Sequence, residues 1–327
     1  MIYRRNIEIV PKCLIIEDMH PSIISGMKKL GYHCDYFPDI KPEEVYHIIH
    51  RYTGLFIRSK MQIEKKLIRK ATSLRFIARA GSGMDIIDTK VAKRKKIVLI
   101  NSPEGNKNAV GEHCLGLLLC LLNKMYQGDN QIKKGIWKRE ENRGVELKGK
   151  TVAIIGYGTM GMSFAQKLKS MDCKVLCYDK YRKNYSDNFA EESGWNEIFK
   201  KADILSLHVP LTPKTENLIN TVCINRFKKN IWLINTSRGK VVSIADLIKG
   251  LKEKKIKGAA LDVLENENIN NLLPEKLKEF KTLCNFSNVL LTPHVAGWTF
   301  ESYQRINEVL IEKIKKHITS GLLPGQI

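Results

Sequence analysis

Three polar residues that together could move a proton to or from an alcohol follow apolar runs of the sequence. They are Arg238 in INTSRGK, Glu267 in LDVLENE and His294 in LTPHVAG. A histidine can take a hydroxyl proton and return it, and a carboxylate can orient the imidazole and stabilise its charged form. An arginine suits a substrate carboxylate because its planar fork gives two parallel charge-assisted hydrogen bonds. The three residue types predict acid–base chemistry on a small carboxylic acid.

Each of these residues also has a structural interpretation. Arg238 fits a turn after a capping serine, Glu267 is one of several acids in ENEN, and His294 fits a capped loop histidine. Taken singly, each structural interpretation is favoured. A structural explanation of all three requires three independent coincidences at three strand ends of one sheet, so the combination favours catalysis.

A second pattern, at residues 151–179, has the order of parts that a dinucleotide needs. An apolar run ends in Gly156, Gly158 and Gly161, a helical pattern follows, and a second apolar run ends in Asp179. Gly156 permits a tight turn, Gly158 lets the backbone approach a pyrophosphate, and Gly161 lets the helix pack on the strand. The helix N-terminus favours the phosphates. The carboxylate of Asp179 accepts ribose hydroxyls and repels a 2′-phosphate, which predicts NAD as the cofactor rather than NADP.

Alternating strands and helices are predicted in two parts of the chain, the first third and the dinucleotide unit, which we expect to form two domains. Short apolar runs separated by helical segments predict parallel sheets covered on both faces, with ligands outside the carboxyl ends of the strands. The last helix, Phe300–Thr319, has no strand after it. We expect it to return to the first domain, which would make that domain discontinuous and leave a cleft between the two.

Composition restricts the class of protein. The 327 residues are 43% hydrophobic, which allows two domains with real cores, and carry a net charge of +21. The lysines are scattered through helical segments instead of forming one patch, so we expect solvated helix faces and small anionic substrates, not nucleic acid. The eight cysteines lack a CxxC pair or metal spacing, so we expect a reducing compartment and no metal. No signal segment is found and the longest apolar run is too short for a bilayer, so we expect a cytoplasmic protein without a membrane partner.

The motifs AVGEH, GYGTMG with Asp179, NTSRG, LDV with Glu267, and TPHVAG resemble the D-2-hydroxyacid dehydrogenase family over nearly the whole chain. The resemblance implies that Arg238, Glu267 and His294 are catalytic and that subunits pair through the cofactor domain. It implies a Rossmann cofactor domain at 101–296 and a smaller flavodoxin-like substrate domain built from 1–100 and 297–327. Further cofactor contacts are expected at Val110, Thr159, Met160, Val209, Pro210, Thr236 and Asp262.

The segments IRS, ARAGSGMD and NSPEGN resemble those of the D-3-phosphoglycerate dehydrogenases within that family. The resemblance implies that Arg58 and Arg79 help to bind anionic groups of the substrate and that Arg139 reaches a neighbouring active site. A phosphate in addition to a carboxylate needs several cationic donors, although surface charge or salt bridging would also explain these arginines. The remaining residues expected at the substrate are Ser59, Ser82, Gly83 and Asn101.

The leading hypothesis is oxidation of 3-phospho-D-glycerate to 3-phosphohydroxypyruvate, the entry step to serine, by an NAD-dependent homodimer. The chain ends without the sensing domain of longer relatives, so feedback by serine through such a domain is not expected. Two departures weaken this hypothesis. Asn268 stands where the family usually has proline, which bears on the loop geometry near Glu267, and Trp298 stands where phosphoglycerate enzymes more often carry a small residue, which favours another 2-hydroxy or 2-keto acid. The nearest alternative is hydroxypyruvate or glyoxylate reduction, and a remote one is an NADH-responsive corepressor.

Overall fold

The computed structural model describes residues 10–325, and the chain divides into two compact units. The first unit contains the described residues up to Asn106 and those from Trp298 onward, and the second is Lys107–Gly297. Each unit is built around its own parallel sheet.

The first unit has the strand order of a flavodoxin-like sheet. Within its described residues, five strands pair in parallel in the order β2-β1-β3-β4-β5. The strands are β1 (Lys12–Ile15), β2 (His33–Tyr36), β3 (Gly54–Ile57), β4 (Phe76–Arg79) and β5 (Val98–Asn101). The helices are α1 (Ser22–Lys29), α2 (Pro42–Ile48), α3 (Lys65–Lys70), α4 (Thr89–Arg94) and the last helix, α12 (Phe300–Thr319).

Both faces of this first sheet are covered, because successive side chains of its strands enter different apolar clusters. Leu14 packs in the cluster that contains Leu67 of α3, whereas Ile15 packs with Ile23 of α1 and Leu310 of α12. A strand buried on both sides reads as a continuous apolar run, as the sequence analysis expected.

The last helix belongs to the first unit and coincides with the helix predicted at 300–319. It begins with a reciprocal cap, since the Thr299 hydroxyl accepts from the Ser302 amide and the Ser302 hydroxyl accepts from the Thr299 amide. Its apolar face packs in the α1 cluster.

Across Lys107–Gly297, seven parallel strands follow the order β12-β11-β10-β9-β6-β7-β8. They are β6 (Thr151–Ile155), β7 (Lys174–Tyr178), β8 (Glu191–Glu192), β9 (Ile204–Leu207), β10 (Ile231–Asn235), β11 (Ile256–Leu261) and β12 (Val289–Leu291). The helices are α5 (Pro103–Leu122), most of which lies in this unit, α6 (Met125–Lys133), α7 (Thr159–Leu168), α8 (Trp195–Lys201), α9 (Thr221–Arg226), α10 (Ile244–Lys252) and α11 (Pro274–Cys284). The strand order reverses between β6 and β9, as in a Rossmann sheet. The predicted fold class is confirmed.

Among the described residues, no helix combines the length and the apolar character that crossing a membrane requires.

Candidate active site

The glycine turn between β6 and α7 leaves room for a bound phosphate. Gly156 has a φ of +92°, and a Cβ there would lie 2.5 Å from the carbonyl oxygen of His208. A Cβ on Gly161 would lie 2.1 Å from the carbonyl oxygen of Gly156, so both positions require glycine. A Cβ on Gly158, the residue before α7, would meet nothing within 4 Å. The open space therefore lies at the helix N-terminus, where a pyrophosphate is favoured.

Asp179 is held against this turn by backbone hydrogen bonds. One carboxylate oxygen accepts from the Tyr157 amide at 3.0 Å, and the other accepts from the Tyr181 and Arg182 amides at 2.9 and 3.2 Å. A carboxylate has about four acceptor positions, so capacity for a ribose hydroxyl remains. The glycine turn and Asp179 together fit a dinucleotide with an unmodified ribose.

The other expected cofactor contacts follow neighbouring strands or line the turn. Thr159 and Met160 form the first turn of α7, Val209 and Pro210 follow β9, and Thr236 follows β10. Val110 on α5 is nearly buried among apolar side chains. Their contacts with a cofactor stay a prediction.

Asp262, also expected to contact the cofactor, uses its buried carboxylate to hold the turn that carries His294. One oxygen accepts from the Thr292 hydroxyl at 2.5 Å and the Val295 amide at 2.9 Å, and the other accepts from the Ala296 amide at 2.9 Å. The Asp262 carbonyl accepts from the His294 amide at 2.8 Å. The same residue thus binds the histidine amide, the two amides after it and the side chain of Thr292 before it.

His294 and Glu267 are brought together. The Nδ1 atom of His294 lies 2.9 Å from a carboxylate oxygen of Glu267. A carboxylate partner on Nδ1 favours the tautomer with the proton there, which leaves Nε2 to exchange a proton with a ligand. Both side chains are about half exposed, at 47% and 49%.

Arg238 lies at the end of the strand next to the one that leads to Glu267. It follows β10 and opens a short 3-10 turn, Gly239–Val241. Its guanidinium donates to the Ser237 carbonyl at 2.7 Å, and the buried Asn235 side chain donates to the Arg238 carbonyl at 3.0 Å. Because β10, β11 and β12 are neighbours in the sheet, the three predicted catalytic residues follow three adjacent strand ends.

Two of the expected substrate residues of the first unit are bonded to each other. Arg79 at the end of β4 donates from Nε to the Arg58 carbonyl at 3.1 Å. The Arg58 guanidinium lies 3.9 Å from the centre of the Trp298 ring and donates to the Asp18 carbonyl at 3.4 Å. Stacking engages the face of a guanidinium and leaves its in-plane donors to bind oxygen atoms.

The backbone at Ser59 is already used within the unit. The Arg58 and Ser59 amides both donate to the carboxylate of Glu17, the Ser59 amide at 2.8 and 2.9 Å to its two oxygens. Glu17 therefore fixes the segment that carries Arg58. A contact of Ser59 with substrate would therefore use its hydroxyl or its carbonyl and not its amide.

The other substrate residues of the first unit lie around one loop. The Asn101 side chain donates to the Ser82 carbonyl at 2.7 Å, and the Ser82 hydroxyl donates to the Asn106 side chain at 3.0 Å. Gly83 continues this loop. Arg139 lies instead in the second unit, on an exposed turn after α6, and its predicted role at a neighbouring active site stays a prediction.

No three His, Cys, Asp or Glu side chains among the described residues are grouped in a way that could hold a metal ion.

Three further residues, none of them predicted from the sequence, bond to neighbouring segments close to the expected site residues. These are Asn235 under the Arg238 turn, Glu17 beneath Arg58 and Glu265 in the loop before Glu267. A polar residue at the end of an apolar strand is a signal for the first two. Glu265 gave no such signal, because it lies in a run of polar residues.

The chain matches the model of the D-isomer specific 2-hydroxyacid dehydrogenase NAD binding domain over residues 115–296. That match covers more than half of the chain. The chain belongs to this family. Its second unit is accordingly an NAD binding domain, which agrees with the cofactor expected from the glycine turn and Asp179.

Relatives within the dehydrogenase family differ in the substrate that their names give. The chain is 34% identical to a D-3-phosphoglycerate dehydrogenase of Methanocaldococcus jannaschii over 95% of its own length and 58% of that relative. It is 32% identical to a hydroxypyruvate reductase of Thermotoga maritima over 85% of this chain and 89% of that one. It spans 53–58% of the length of three phosphoglycerate relatives and 68–75% of three others.

A solved structure of the family supports the fold. The D-lactate dehydrogenase of Aquifex aeolicus, complexed with NAD and lactic acid, is 27% identical and superposes with a TM-score of 0.80. The superposition covers 95% of this chain and 96% of that one.

Proposed function

We propose that this protein is an NAD-dependent D-2-hydroxyacid dehydrogenase that oxidises 3-phospho-D-glycerate to 3-phosphohydroxypyruvate. The observation that carries the proposal is the hydrogen bond at 2.9 Å between His294 and Glu267. These two residues follow β12 and β11, and Arg238 follows the neighbouring strand β10. The family match and the phosphoglycerate relatives support it.

His294 is the base of the proposed reaction. Its Nε2 atom takes the proton of the substrate hydroxyl, and Glu267 on Nδ1 stabilises the imidazolium that forms. Bound NAD supplies the acceptor for the hydride that leaves the same carbon. Arg238 binds the substrate carboxylate and holds the carbon in position. In the opposite direction His294 returns the proton.

Arg58 and Arg79 are the proposed partners of the substrate phosphate. Two guanidinium groups on adjacent strand ends, with Nε of Arg79 bonded to the backbone carbonyl of Arg58, supply the planar donors that a phosphate needs. An unphosphorylated acid would have less use for them.

A second candidate activity is reduction of hydroxypyruvate or glyoxylate. The observation that favours it is the hydroxypyruvate reductase relative, of which the chain covers 89%, whereas it covers between 53% and 75% of the phosphoglycerate relatives. Trp298 against Arg58 also departs from the small residue that phosphoglycerate enzymes more often carry.

A substrate panel followed by NADH absorbance tests both candidates. We expect the highest kcat/KM with 3-phosphoglycerate or its keto acid, and we expect Arg79→Ala to remove only the advantage of the phosphorylated substrate. A higher kcat/KM for hydroxypyruvate or glyoxylate would replace the leading candidate with the second. Salt-dependent DNA binding without turnover of any 2-hydroxy acid would instead favour a corepressor.

We further propose that the protein is a homodimer that pairs through the second unit. None of residues Met125–Lys133 of α6 is buried, although this helix and the segment after it carry large apolar side chains. Ile132 is 52% exposed and Trp137 is 82% exposed. Exposed apolar side chains that are close in sequence are typical of a surface that another chain covers.

A further inference from the structure

Glu265, two residues before Glu267, has a carboxylate with two partners from other elements. One oxygen accepts from the amide of Ile244, the first residue of α10, at 2.6 Å. The other accepts from the ammonium group of Lys276 on α11 at 2.9 Å. The Glu265 side chain is only 20% exposed. A carboxylate at a helix N-terminus is stabilised by the unpaired amides and by the helix dipole, so this contact is a firm attachment point.

The backbone beside Glu265 is also fixed. A Cβ on Gly239, which follows Arg238, would lie 1.7 Å from the Leu264 carbonyl oxygen, so the Arg238 turn directly contacts the start of the Glu267 loop. On the other side, the Asn268 amide donates to the Asn266 side chain at 3.0 Å. The segment that presents Glu267 therefore packs on the Arg238 turn just before the catalytic carboxylate and is closed by a local turn around it.

Lys276 connects this loop to the helix that follows it. Its ammonium group lies 2.9 Å from carboxylate oxygens of both Glu265 and Glu279. Hydrogen bonds to Glu279 and Glu265 raise the pKa of Lys276, so it remains a cation at neutral pH. Glu279 lies one helical turn away on α11, whereas Glu265 lies in the loop.

The Glu267–His294 contact needs such support. Both side chains are about half exposed, and an exposed ion pair contributes little because water competes for each partner. The backbone on the histidine side is held by Asp262. On the glutamate side, Glu265 supplies the side chain of residues 264–268 whose hydrogen bonds reach both α10 and α11.

We propose that Glu265 is a positioning residue for the Glu267–His294 pair and that Lys276 of α11 completes its attachment. The proposal rests on the dehydrogenase function proposed above. Glu265 does not touch the reacting atoms. It fixes the backbone from which Glu267 reaches Nδ1 of His294, and thereby the direction in which Nε2 points.

The test compares Glu265→Gln with Glu279→Gln in the full-length protein, because both acids bind the same lysine at the same distance. Glutamine at 265 can still accept from the Ile244 amide but loses the charge that holds Lys276. We expect Glu265→Gln to lower kcat about tenfold with KM changed less than about twofold. We also expect a larger primary isotope effect on kcat with substrate deuterated at C2. Glu279→Gln should stay within about twofold of the unsubstituted protein on both measures.

Two Lys276 variants extend the comparison. Lys276→Met should lower kcat, as Glu265→Gln does. Lys276→Arg should retain the kcat of the unsubstituted protein, because the guanidinium can still reach the Glu265 carboxylate. NADH binding, followed by fluorescence, should be unchanged in all variants. If Glu265→Gln does not fold, as judged by circular dichroism, the Lys276 pair decides the question.

A kcat of Glu265→Gln within twofold of the unsubstituted protein would overturn the proposal, and so would an equal loss in Glu279→Gln. In the Lys276 pair, unchanged turnover in Lys276→Met or failure of Lys276→Arg to retain turnover would count against the role of Lys276. An unsubstituted protein without activity on any 2-hydroxy acid would refute the proposed function, and the positioning role with it. If the unsubstituted protein is active and the variants do not behave as expected, only the positioning role fails and the proposed function stands.

Discussion

At the scale of single residues, the histidine depends on unusual local geometry. His294 has a φ of +54°, a left-handed conformation that is uncommon for a residue other than glycine. Its amide donates to two carbonyls, and Asp262 binds the next two amides. These hydrogen bonds offset the cost of the conformation and fix the ring beside Glu267.

The first prediction concerns His294 as the base. His294→Ala should lower kcat by about a thousandfold, because a general base contributes on the order of a hundred- to ten-thousandfold. NADH affinity should change less than about twofold, since the glycine turn and Asp179 are unaltered. Steady-state kinetics and a fluorescence titration check the two expectations, and unchanged turnover would rule out this base.

A second prediction concerns the pH dependence of stability. Burial lowers the pKa of His208, which follows β9, to about 4, and the Ser206 hydroxyl lies 2.9 Å from its Nε2. Because an unfolded histidine has a pKa of about 6.5, the unfolded chain binds a proton that the folded chain excludes between these values. This contribution to stability is present above about pH 6.5 and is lost as the pH falls toward 4.

The measurement is the free energy of unfolding by denaturant at pH 7.5 and pH 5, in the unsubstituted protein and in His208→Gln. The loss between the two pH values should be greater with His208 present, by up to about 2 kcal/mol. Equal losses in the two proteins would show that His208 does not titrate in this way.

At the scale of elements, the sheet explains why the proposed catalytic residues, distant in sequence, follow neighbouring strand ends. Arg238, Glu267 and His294 follow β10, β11 and β12, which are adjacent and parallel, so their carboxyl ends meet at one edge. This much could be predicted from sequence, because each strand is an apolar run that ends where polar residues begin.

The loops between these strands could not be predicted in the same way. No helix was predicted in the polar segment after Glu267, yet it contains α11, whose Lys276 binds back to the loop. Likewise, Asp262 was expected at the cofactor, although three of its hydrogen bonds go to the His294 turn. Such contacts depend on which loops become neighbours after folding, and hydrophobic periodicity carries no information about them.

A matched pair of glycine variants tests the glycine turn. Gly158→Ala should leave the melting temperature within about 2 °C, because its Cβ meets nothing within 4 Å, but should weaken NADH binding about tenfold by occupying the space for phosphate. Gly161→Ala should lower the free energy of unfolding by about 1–3 kcal/mol, because its Cβ would lie 2.1 Å from a carbonyl oxygen. Thermal melts and NADH titrations distinguish the two effects. Equal behaviour of the two variants would contradict this division of roles.

At the scale of the whole molecule, the proposed dimer gives a prediction about assembly. The double variant Ile132→Ser and Trp137→Ser removes two exposed apolar side chains of the α6 region and should raise the dimer dissociation constant by at least about tenfold. Val222→Ser, at a residue on α9 that is 74% exposed, is the matched control and should not alter the assembly. Sedimentation velocity over a range of protein concentrations measures both. A sedimentation coefficient of a monomer at every concentration of the unsubstituted protein would refute the dimer.

The placement of α12 has a consequence for biosynthesis. The core of the first unit contains Ile306, Leu310 and Ile314, whereas the second unit is contiguous from Lys107 to Gly297. On a translating ribosome, the second unit can thus complete its core before the first unit does. The first unit must wait until the twenty residues of α12 leave the exit tunnel. Nascent chains arrested so that Gly297 has left the exit tunnel while α12 is still inside it should therefore protect the NAD binding unit from protease while the amino-terminal strands are still cleaved.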